Sequence, residues 1–215
     1  MLKTNKKIII LTSIITLIPL FLGLALWNKL PDTIATHFDL SGTADGWSSK
    51  PFAVFFLPLF LLAVHLICTI ATSADPRRQN ISDKLFALVL WICPVISVLM
   101  CCSVYLIALG FDLNMSLIAQ LLVGVVFIII GNYLPKCRQN YTMGIKLPWT
   151  LADEDNWNKT HRLAGWLWMV AGLLFLVFTL MDRMSEWFLL GVILVAVLVP
   201  TAYSFLLHLK KEKID

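Results

Sequence analysis

The sequence predicts an all-α fold, namely a polytopic transmembrane helix bundle with about six spans. Of its 215 residues, 59% are hydrophobic and only 14% are charged, whereas soluble domains are typically about a quarter charged. The apolar residues also gather into runs of roughly 20, which is the length that crosses a bilayer as a helix. Barrel strands would be half as long and would alternate in polarity, so helices are the predicted spanning elements.

The first apolar run, from Ile8 to Trp27, follows a basic N-terminus. A secretory signal also begins in this way, but its apolar core is roughly 7–15 residues long and leads to small residues. This run is longer and ends in the bulky pair Leu26-Trp27. We therefore predict a retained first helix, with a cleaved signal as the alternative.

Five further apolar runs predict the remaining spans. They are Phe52–Ala71, Leu85–Leu109, Ser116–Leu134, Leu163–Met181 and Trp187–Leu209. Prolines lie inside four of the six runs, at Pro19, Pro58, Pro94 and Pro200. Because neighbouring helices in a membrane can satisfy the carbonyls that proline leaves unpaired, we expect kinked spans rather than interrupted ones.

The distribution of lysine and arginine predicts that both termini are cytoplasmic. With the N-terminus inside, the inner segments carry 14 of these residues and the outer segments carry 3, which is the bias expected of a multi-pass membrane protein. The inner set is Lys3, Lys6, Lys7, Arg77, Arg78, Lys84, Lys136, Arg138, Lys146, Lys159, Arg162, Lys210, Lys211 and Lys213; the outer set is Lys29, Lys50 and Arg183. Basic residues form no stripe interleaved with aromatics, so no direct nucleic-acid partner is predicted.

The connection over residues 31–50 is a long outer loop, and long patterned loops usually carry function. Its turn dipeptides, Ser41-Gly42 and Asp45-Gly46, predict a small extended hairpin or a compact loop. His37, Asp39 and Asp45 could together bind a cation or a partner, and Trp47 suits the headgroup interface. In the alternative interpretation both carboxylates shape turns and His37 is solvent-facing or packed.

The inner connection over residues 135–162 is also longer than a helix bundle needs. Thr150 followed by Asp153 resembles a capping box and predicts a helix from about Leu151 that runs into the fifth span. On that helix Trp157 and His161 share one face, because they are four residues apart. Asn158 and Arg162 lie one residue further round the helix, and we consider Asn158 and His161 as buried or binding residues.

No enzymatic motif is found, and neither a catalytic residue nor a cofactor is predicted. The five cysteines show no CxxC pairing, so no disulfide framework or metal site is expected. Polar groups within the spans often mark ion or solute paths. The candidates here are His65, His208 and Gln120.

A short internal sequence similarity suggests the hypothesis of an inverted 3+3 repeat. Asn28-Lys-Leu-Pro31 opens one long loop and Asn132-Tyr-Leu-Pro135 opens the other. The predicted halves are residues 1–109, with the outer loop 31–50, and residues 110–215, with the inner loop 131–162. Three spans per half would give the halves opposite orientations.

These two loops resemble the SdpI family of bacterial membrane immunity proteins. The outer resemblance is carried by Leu30-Pro31-Asp32, Thr36-His37-Phe38, Gly42 and Asp45-Gly46-Trp47. The more specific inner segment comprises Gly131, Asn132, Tyr133, Leu134, Pro135, Lys136, Asn140, Gly144, Ile145, Pro148, Trp149, Thr150, Leu151, Trp157, Asn158, Lys159, Thr160, His161 and Arg162. Lys146 stands where the family pattern leads us to expect arginine, which keeps the charge and loses bidentate geometry.

The resemblance implies a non-enzymatic protein that protects a toxin-producing cell from its own secreted antimicrobial peptide. It also implies a receptor role, in which toxin engagement lets the protein hold a small cytoplasmic repressor at the membrane. A peptide or small-solute transporter is the alternative, favoured by the repeat hypothesis. A membrane enzyme, built on His37, Asp39 and Asp45 or on Asn158 and His161, is a further alternative.

Overall fold

The computed structural model describes residues 1–2 and 4–212, so Lys3 and Lys213 of the charge count lie outside the described residues. Within them, six helices are long and apolar enough to cross a membrane, which confirms the predicted polytopic helical class. The inverted repeat and the division into halves 1–109 and 110–215 stay predictions. The six spans run Lys6–Ala25, Phe52–Ser73, Asp83–Ala108, Met115–Lys136, Glu154–Leu180 and Glu186–Glu212.

Several spans are built from more than one regular piece. The α-helices are α1 (Lys6–Thr16), α2 (Ile18–Ala25), α3 (Leu57–Ser73), α4 (Asp83–Ile96), α5 (Cys102–Ala108), α6 (Met115–Tyr133), α7 (Pro148–Ala152), α8 (Glu154–Leu180) and α9 (Glu186–Glu212). They are adjoined by two π-helical turns, Phe52–Phe56 and Ser97–Cys101, and by the 3₁₀ turn Leu134–Lys136. A further 3₁₀ turn, Arg78–Asn80, lies in the loop between α3 and α4. A hairpin of β1 (Thr33–Phe38) and β2 (Ala44–Ser49) follows the first span.

The fifth span begins earlier than the apolar run indicates, at Glu154 rather than Leu163. The Asp153 carboxylate accepts a hydrogen bond from the Asp155 N–H at 2.9 Å and so caps the helix. The predicted capping box was therefore wrong, because Asp153 rather than Thr150 is the N-cap residue of the fifth span. The helix is interrupted between α7 and α8 instead of running on from Leu151. Burial acts to raise the pKa of Asp153, but hydrogen bonds from Lys211 and backbone N–H groups outweigh it and lower the pKa.

The chain divides into two compact units. Unit 1 comprises Met1–Ser73 and Phe86–Ala119. Its apolar core lies beneath the hairpin, where Ile34 packs with Val54 and Tyr105, all of them almost fully buried. The hairpin is thereby anchored to the ends of the spans of its own unit.

In unit 1, where a span is not a regular α-helix, a side chain from another span donates a hydrogen bond to its unpaired backbone carbonyl. In the π turn, the Leu57 N–H donates to the carbonyl of Phe52, five residues earlier. By the same spacing the carbonyl of Ala53 would need a donor at Pro58, but proline has no N–H. The Tyr105 hydroxyl donates to that carbonyl instead, at 3.1 Å. A donor on a neighbouring helix thus satisfies the carbonyl that proline leaves unpaired, as expected for a membrane protein.

A second such bond lies where the first span is interrupted between α1 and α2. The Ser97 hydroxyl, in the π turn of the third span, donates to the carbonyl of Thr16 at 2.7 Å. Both residues are fully buried. Hydroxyl groups therefore close the gaps in the helical hydrogen bonding of this unit.

Unit 2 comprises Ala74–Leu85 and the described chain from Gln120 onward. Its α6 and α8 approach closely through glycines: a Cβ on Gly165 would lie 2.7 Å from the carbonyl oxygen of Gly131, and one on Gly172 would lie 2.5 Å from that of Gly124. Small residues at matched heights let two membrane helices pack backbone to backbone. This packing fixes where the loop that follows α6 meets the first turns of α8.

Candidate functional site

The outer loop forms the predicted hairpin, with two distinct faces. Its antiparallel register is shifted on both sides of His37, which is where β-bulges redirect side chains. Ile34 points into the core of unit 1, whereas His37, Asp45 and Trp47 are exposed on the hairpin. All four predicted outer-loop residues, Asp39 included, therefore remain accessible, and Trp47 keeps 60% of its surface exposed.

The side chains of His37 and Asp45 form a hydrogen bond across the strands. The imidazole Nδ1 lies 2.5 Å from the carboxylate Oδ1 of Asp45, and both side chains are substantially exposed. Gly46 makes room for the histidine, because a Cβ at that position would lie 2.8 Å from the Cβ of His37. The pair presents a polar group with both a donor and an acceptor beside the exposed indole of Trp47.

Asp39 has a different role from its predicted partners. One oxygen of its carboxylate accepts hydrogen bonds from the Ser41 N–H at 2.9 Å, the Ser41 hydroxyl at 2.6 Å and the Thr43 N–H at 2.9 Å. These bonds, led by that from the Ser41 side chain, hold the pKa of Asp39 below its usual value. Asp39 thus shapes the turn, as the alternative interpretation holds, while Asp45 does not.

The tip of the hairpin rests on the connection between the third and fourth spans. The Ser116 hydroxyl donates to the carbonyl of Leu40 at 2.8 Å. Gly42 has a φ of +88°, and a Cβ there would lie 2.8 Å from the side-chain oxygen of Asn114. Two contacts therefore fix the turn and keep the exposed face of the hairpin in one orientation.

The inner loop is organised around Asn140, a fully buried residue of the predicted signature. Its side-chain oxygen accepts from the N–H groups of Thr142 at 3.0 Å and Met143 at 2.7 Å. Its amide group donates to the carbonyl of Arg138 at 2.8 Å. Asparagine suits this position because it carries an acceptor and a donor on one short side chain. The residue folds the loop back on itself.

Trp157 and His161 stack on α8, as their spacing predicts, with ring centroids 3.9 Å apart. The indole N–H of Trp157 donates to the carbonyl of Cys137 at 2.7 Å. The Ile145 N–H donates to Nε2 of His161 at 2.9 Å, so Nε2 must be unprotonated and Nδ1 carries the proton that goes to the carbonyl of Trp157. Gly144, with a φ of +103°, lies directly against both rings. The two aromatic side chains thus hold the loop to the helix.

Sequence reasoning missed a second anchor, Gln139. Its amide donates to the carbonyls of Thr150 and Leu151 at 2.7 and 3.0 Å, and its side-chain oxygen accepts from Arg77. Its own carbonyl accepts from the Asn80 amide at 2.7 Å. Glutamine in a polar loop gives no periodic signal, so only the fold reveals this role.

The short loop between the second and third spans is tied to the inner loop through Asp75 as well. One carboxylate oxygen of this buried residue accepts from the Tyr141 N–H at 2.9 Å and the Thr142 hydroxyl at 2.8 Å. The other accepts from the N–H of Arg77 at 2.7 Å. A buried carboxylate surrounded by donors is an ordered structural element rather than a reactive group.

Asn156, rather than the predicted Asn158, is the buried asparagine of α8. Its oxygen accepts from the hydroxyls of Ser204 at 2.9 Å and Thr160 at 3.0 Å, and its amide donates to the Ser204 carbonyl at 2.9 Å. The Trp149 indole donates to the Ser204 hydroxyl at 2.7 Å, which extends the network into α7. Asn158 is exposed. Of the two roles considered for Asn158, burial is therefore excluded and the binding role stays a prediction.

The signature residues thus separate into a buried frame and an exposed surface. Asn140, Thr160, Trp157 and His161 are buried in the frame. Pro135 packs against Gly165, where a Cβ would lie 2.5 Å from its ring. The other predicted residues, which lie partly or fully at the surface, are Asn132, Lys136, Gly144, Pro148, Trp149, Asn158 and Arg162.

The three polar candidates inside the spans lie in different surroundings. His65 is fully buried in unit 1, where its Nε2 lies 3.2 Å from the Thr12 hydroxyl. Gln120, in unit 2, accepts from the Thr179 hydroxyl at 3.1 Å. His208 stacks on Trp149 at the end of α9. Burial raises the pKa of the Cys137 thiol, which keeps it protonated. Among the described residues, no group of His, Cys, Asp or Glu is arranged to hold a metal ion.

The fold and these two loops define a multi-pass membrane protein with an ordered hairpin at one loop and a hydrogen-bonded signature segment at another. Comparison with known proteins agrees with this class. The SdpI/YfhL protein family matches residues 136–204, and a domain of unknown function, DUF1648, matches residues 14–62. The chain is therefore similar to the SdpI family over residues 136–204.

One curated relative is similar along nearly the whole chain. It is the "Immunity protein SdpI" of Bacillus subtilis (strain 168), 28% identical over 203 residues, which cover 91% of this chain and 93% of the relative. No solved structure matches the chain. The two matched segments contain the hairpin and the signature loop from Lys136 onward.

Proposed function

We propose that this protein is a non-enzymatic membrane immunity protein that protects its cell from a secreted antimicrobial peptide. The observation that carries the proposal is the similarity to an immunity protein over 91% of the chain, both loops included. Both termini are cytoplasmic in this proposal, so the hairpin faces outward and the signature loop faces inward. The hairpin then meets the peptide before it reaches the bilayer.

The exposed face of the hairpin supports recognition of a peptide. His37 and Asp45 supply polar groups, and Trp47 supplies a large, rigid apolar surface of the kind that dominates protein interfaces. The face is held in one orientation by Asp39 and by the Ser116 bond to Leu40. A preformed surface loses little conformational entropy when it binds.

The signature loop supports an inner binding surface in the same way. Its buried frame of Asn140, Trp157 and His161 makes the loop rigid, while Asn158 and Arg162 remain exposed on α8. In the proposed receptor role these exposed side chains hold a small cytoplasmic repressor at the membrane after the toxin has bound. His161 supports that surface from beneath, so His161→Ala acts through the shape of the loop.

Survival of a sensitive host expressing this protein, challenged with a cognate or related secreted toxin, tests the immunity role. We expect specific protection by the wild type and weakened protection by His37→Ala and Trp47→Ala at equal membrane expression. Trp187→Ala is the matched control, because Trp187 is an exposed tryptophan outside the hairpin, with 81% of its surface accessible. No protection at verified expression would refute the immunity role, and equal loss in the control would refute the role of the hairpin.

Toxin-dependent transcription of the gene for this protein in its native host tests the receptor role separately. We expect the transcript to rise after toxin exposure with the wild type. Asn158→Ala and Arg162→Ala should lower the response while survival stays normal. Lys210→Ala, an exposed cation on α9 outside the signature, is the control. A normal response in both variants would remove the receptor role and leave immunity standing.

A further inference from the structure

Unit 2 contains a polar cavity that the proposed function does not use. It lies where the loop between the second and third spans meets the end of the fourth span, and its volume is about 440 Å³. Its lining includes Asn80, Ser82, Lys84, Tyr133, Lys136 and Arg138. A volume of this size falls within the range of small-molecule sites.

The cavity is strongly positive. Its lining holds three cationic side chains and no carboxylate. Among the described residues, Lys84, Lys136 and Arg138 form no ion pair with Asp or Glu, whereas Lys159, in another basic hollow of the same unit, is already paired with Asp155 at 2.6 Å. Lys136 donates to the Asn132 side chain at 3.0 Å, which leaves its charge uncompensated.

The wall of the cavity is ordered rather than a loose surface loop. Asn80 donates to the carbonyl of Gln139 at 2.7 Å, and Arg77 donates to the side chain of the same residue. The Ser82 hydroxyl accepts from the N–H of Leu85 at 3.3 Å, which leaves its own proton available as a donor. The three cations are thus mounted on a fixed frame.

The cavity lies at the ends of two spans, which is the depth at which lipid headgroups are found. Lys84 is the second residue of the third span, and Tyr133 and Lys136 stand at the end of the fourth span. The Lys136 ammonium lies over the Tyr133 ring, 5.3 Å from its centre. Aromatic and basic residues at a span end occupy the interface, where basic hollows between helices bind anionic headgroups.

We propose that this cavity binds the phosphate of an anionic glycerophospholipid. The three cations neutralise the phosphodiester, the Ser82 hydroxyl donates to it, and Tyr133 lies at the edge where the acyl chains enter the bilayer. The lipid thereby joins the loop between the second and third spans to the signature loop, both of which belong to unit 2.

Lipid titration of the purified full-length protein in detergent, followed by its thermal unfolding midpoint, tests this site. We expect phosphatidylglycerol to raise the midpoint and phosphatidylcholine to have little effect. Replacing Lys84, Lys136 and Arg138 together by glutamine should weaken the apparent affinity for phosphatidylglycerol by about tenfold or more, since each cation near an anionic headgroup contributes strongly. The matched control replaces the exposed Lys7, Arg78 and Lys210 by glutamine and should change the affinity less than about twofold.

Four results would overturn the proposal: an equal response to both lipids, equal weakening in the two triple variants, no weakening in the cavity variant, or a full response to soluble glycerol phosphate without acyl chains. The last result would assign the site to a free phosphate compound instead of a lipid. If the cavity variant does not fold, Arg138→Gln alone, at an exposed side chain, provides the same comparison.

Discussion

At the scale of single residues, the signature loop is held by side chains whose partners lie both near and far along the chain. Spacing on a helix was sufficient to place Trp157 beside His161, because the i, i+4 geometry is local. It was insufficient to distinguish Asn156 from Asn158, because the choice depends on where Ser204 of α9 packs. Gln139 and Asp75 were missed for a similar reason, since their partners are distant in the sequence.

Gly144→Ala tests the contact between the signature loop and α8. We expect this substitution to lower the free energy of unfolding by about 2–4 kcal/mol, because it adds a steric conflict with the rings of Trp157 and His161 to an unfavourable positive φ. Gly110→Ala is the control: its φ is also positive, at +91°, but nothing lies within 4 Å of its added Cβ, so its effect should be about 1 kcal/mol.

Detergent-induced unfolding followed by tryptophan fluorescence measures both glycine variants under the same conditions. Equal destabilisation at Gly144 and Gly110 would mean that the aromatic rings do not restrict the loop. In that case the conformational preference of glycine would be the whole effect.

The lowered pKa of Asp39 predicts that the stability of the hairpin turn depends on pH. Its pKa is lowered in the folded protein, so its carboxylate stabilises the turn above the usual value of 3.8, and this contribution is lost as the pH falls through the lower folded value. We expect the N–H groups of Ser41 and Thr43 to lose protection from hydrogen exchange in that acidic range, after correction for intrinsic rates. Asp39→Asn keeps an acceptor oxygen and should remove the pH dependence; an unchanged profile in this variant would assign the effect to another group.

At the scale of elements, the spans were predictable and their ends and irregularities were not. Apolar length found all six, but the first turns of α8 before Leu163 are rich in polar residues and therefore resemble a loop in a hydropathy pattern. Pro94 and Pro200 lie inside continuous helices, whereas Pro19 follows the break between α1 and α2. The donor that serves a carbonyl left without its usual partner by proline, such as Tyr105 for the carbonyl of Ala53, lies on another span and cannot be read from a local pattern.

Gly165→Ala tests the close packing of α6 on α8. The added Cβ would lie 2.5 Å from the ring of Pro135 and 2.7 Å from the carbonyl oxygen of Gly131, so the helices must separate. We expect the free energy of unfolding to fall by about 1–3 kcal/mol. Gly191→Ala in α9, with nothing within 4 Å of its Cβ, should be close to neutral. Equal effects in detergent-induced unfolding would argue against backbone-to-backbone packing.

At the scale of the whole molecule, the charge bias predicts orientation, and the resemblance to the SdpI family predicts which loops act. The six spans follow from composition and length alone. Immunity does not, because neither a hairpin nor a polar network on a helix is specific for a toxin. That part of the prediction depended on the motif resemblance, and its partners stay proposals.

Cysteine labelling tests the orientation. Ser49→Cys on the hairpin and Asn158→Cys on α8 both place a thiol at an exposed position. With a membrane-impermeant maleimide, we expect the first variant to react in intact cells and the second only after permeabilisation, with the wild type as background for the native cysteines. Labelling of the second variant in intact cells would reverse or reject the predicted topology.

The hydroxyl bonds that close the gaps in unit 1 also constrain how the protein is made. The carbonyl of Thr16 and that of Ala53 belong to the first two spans, but their donors, Ser97 and Tyr105, belong to the third. The ribosome therefore delivers two incomplete helices before it delivers the residues that complete them. The backbone hydrogen bonding of the first two spans is therefore completed only after the third span has been synthesised.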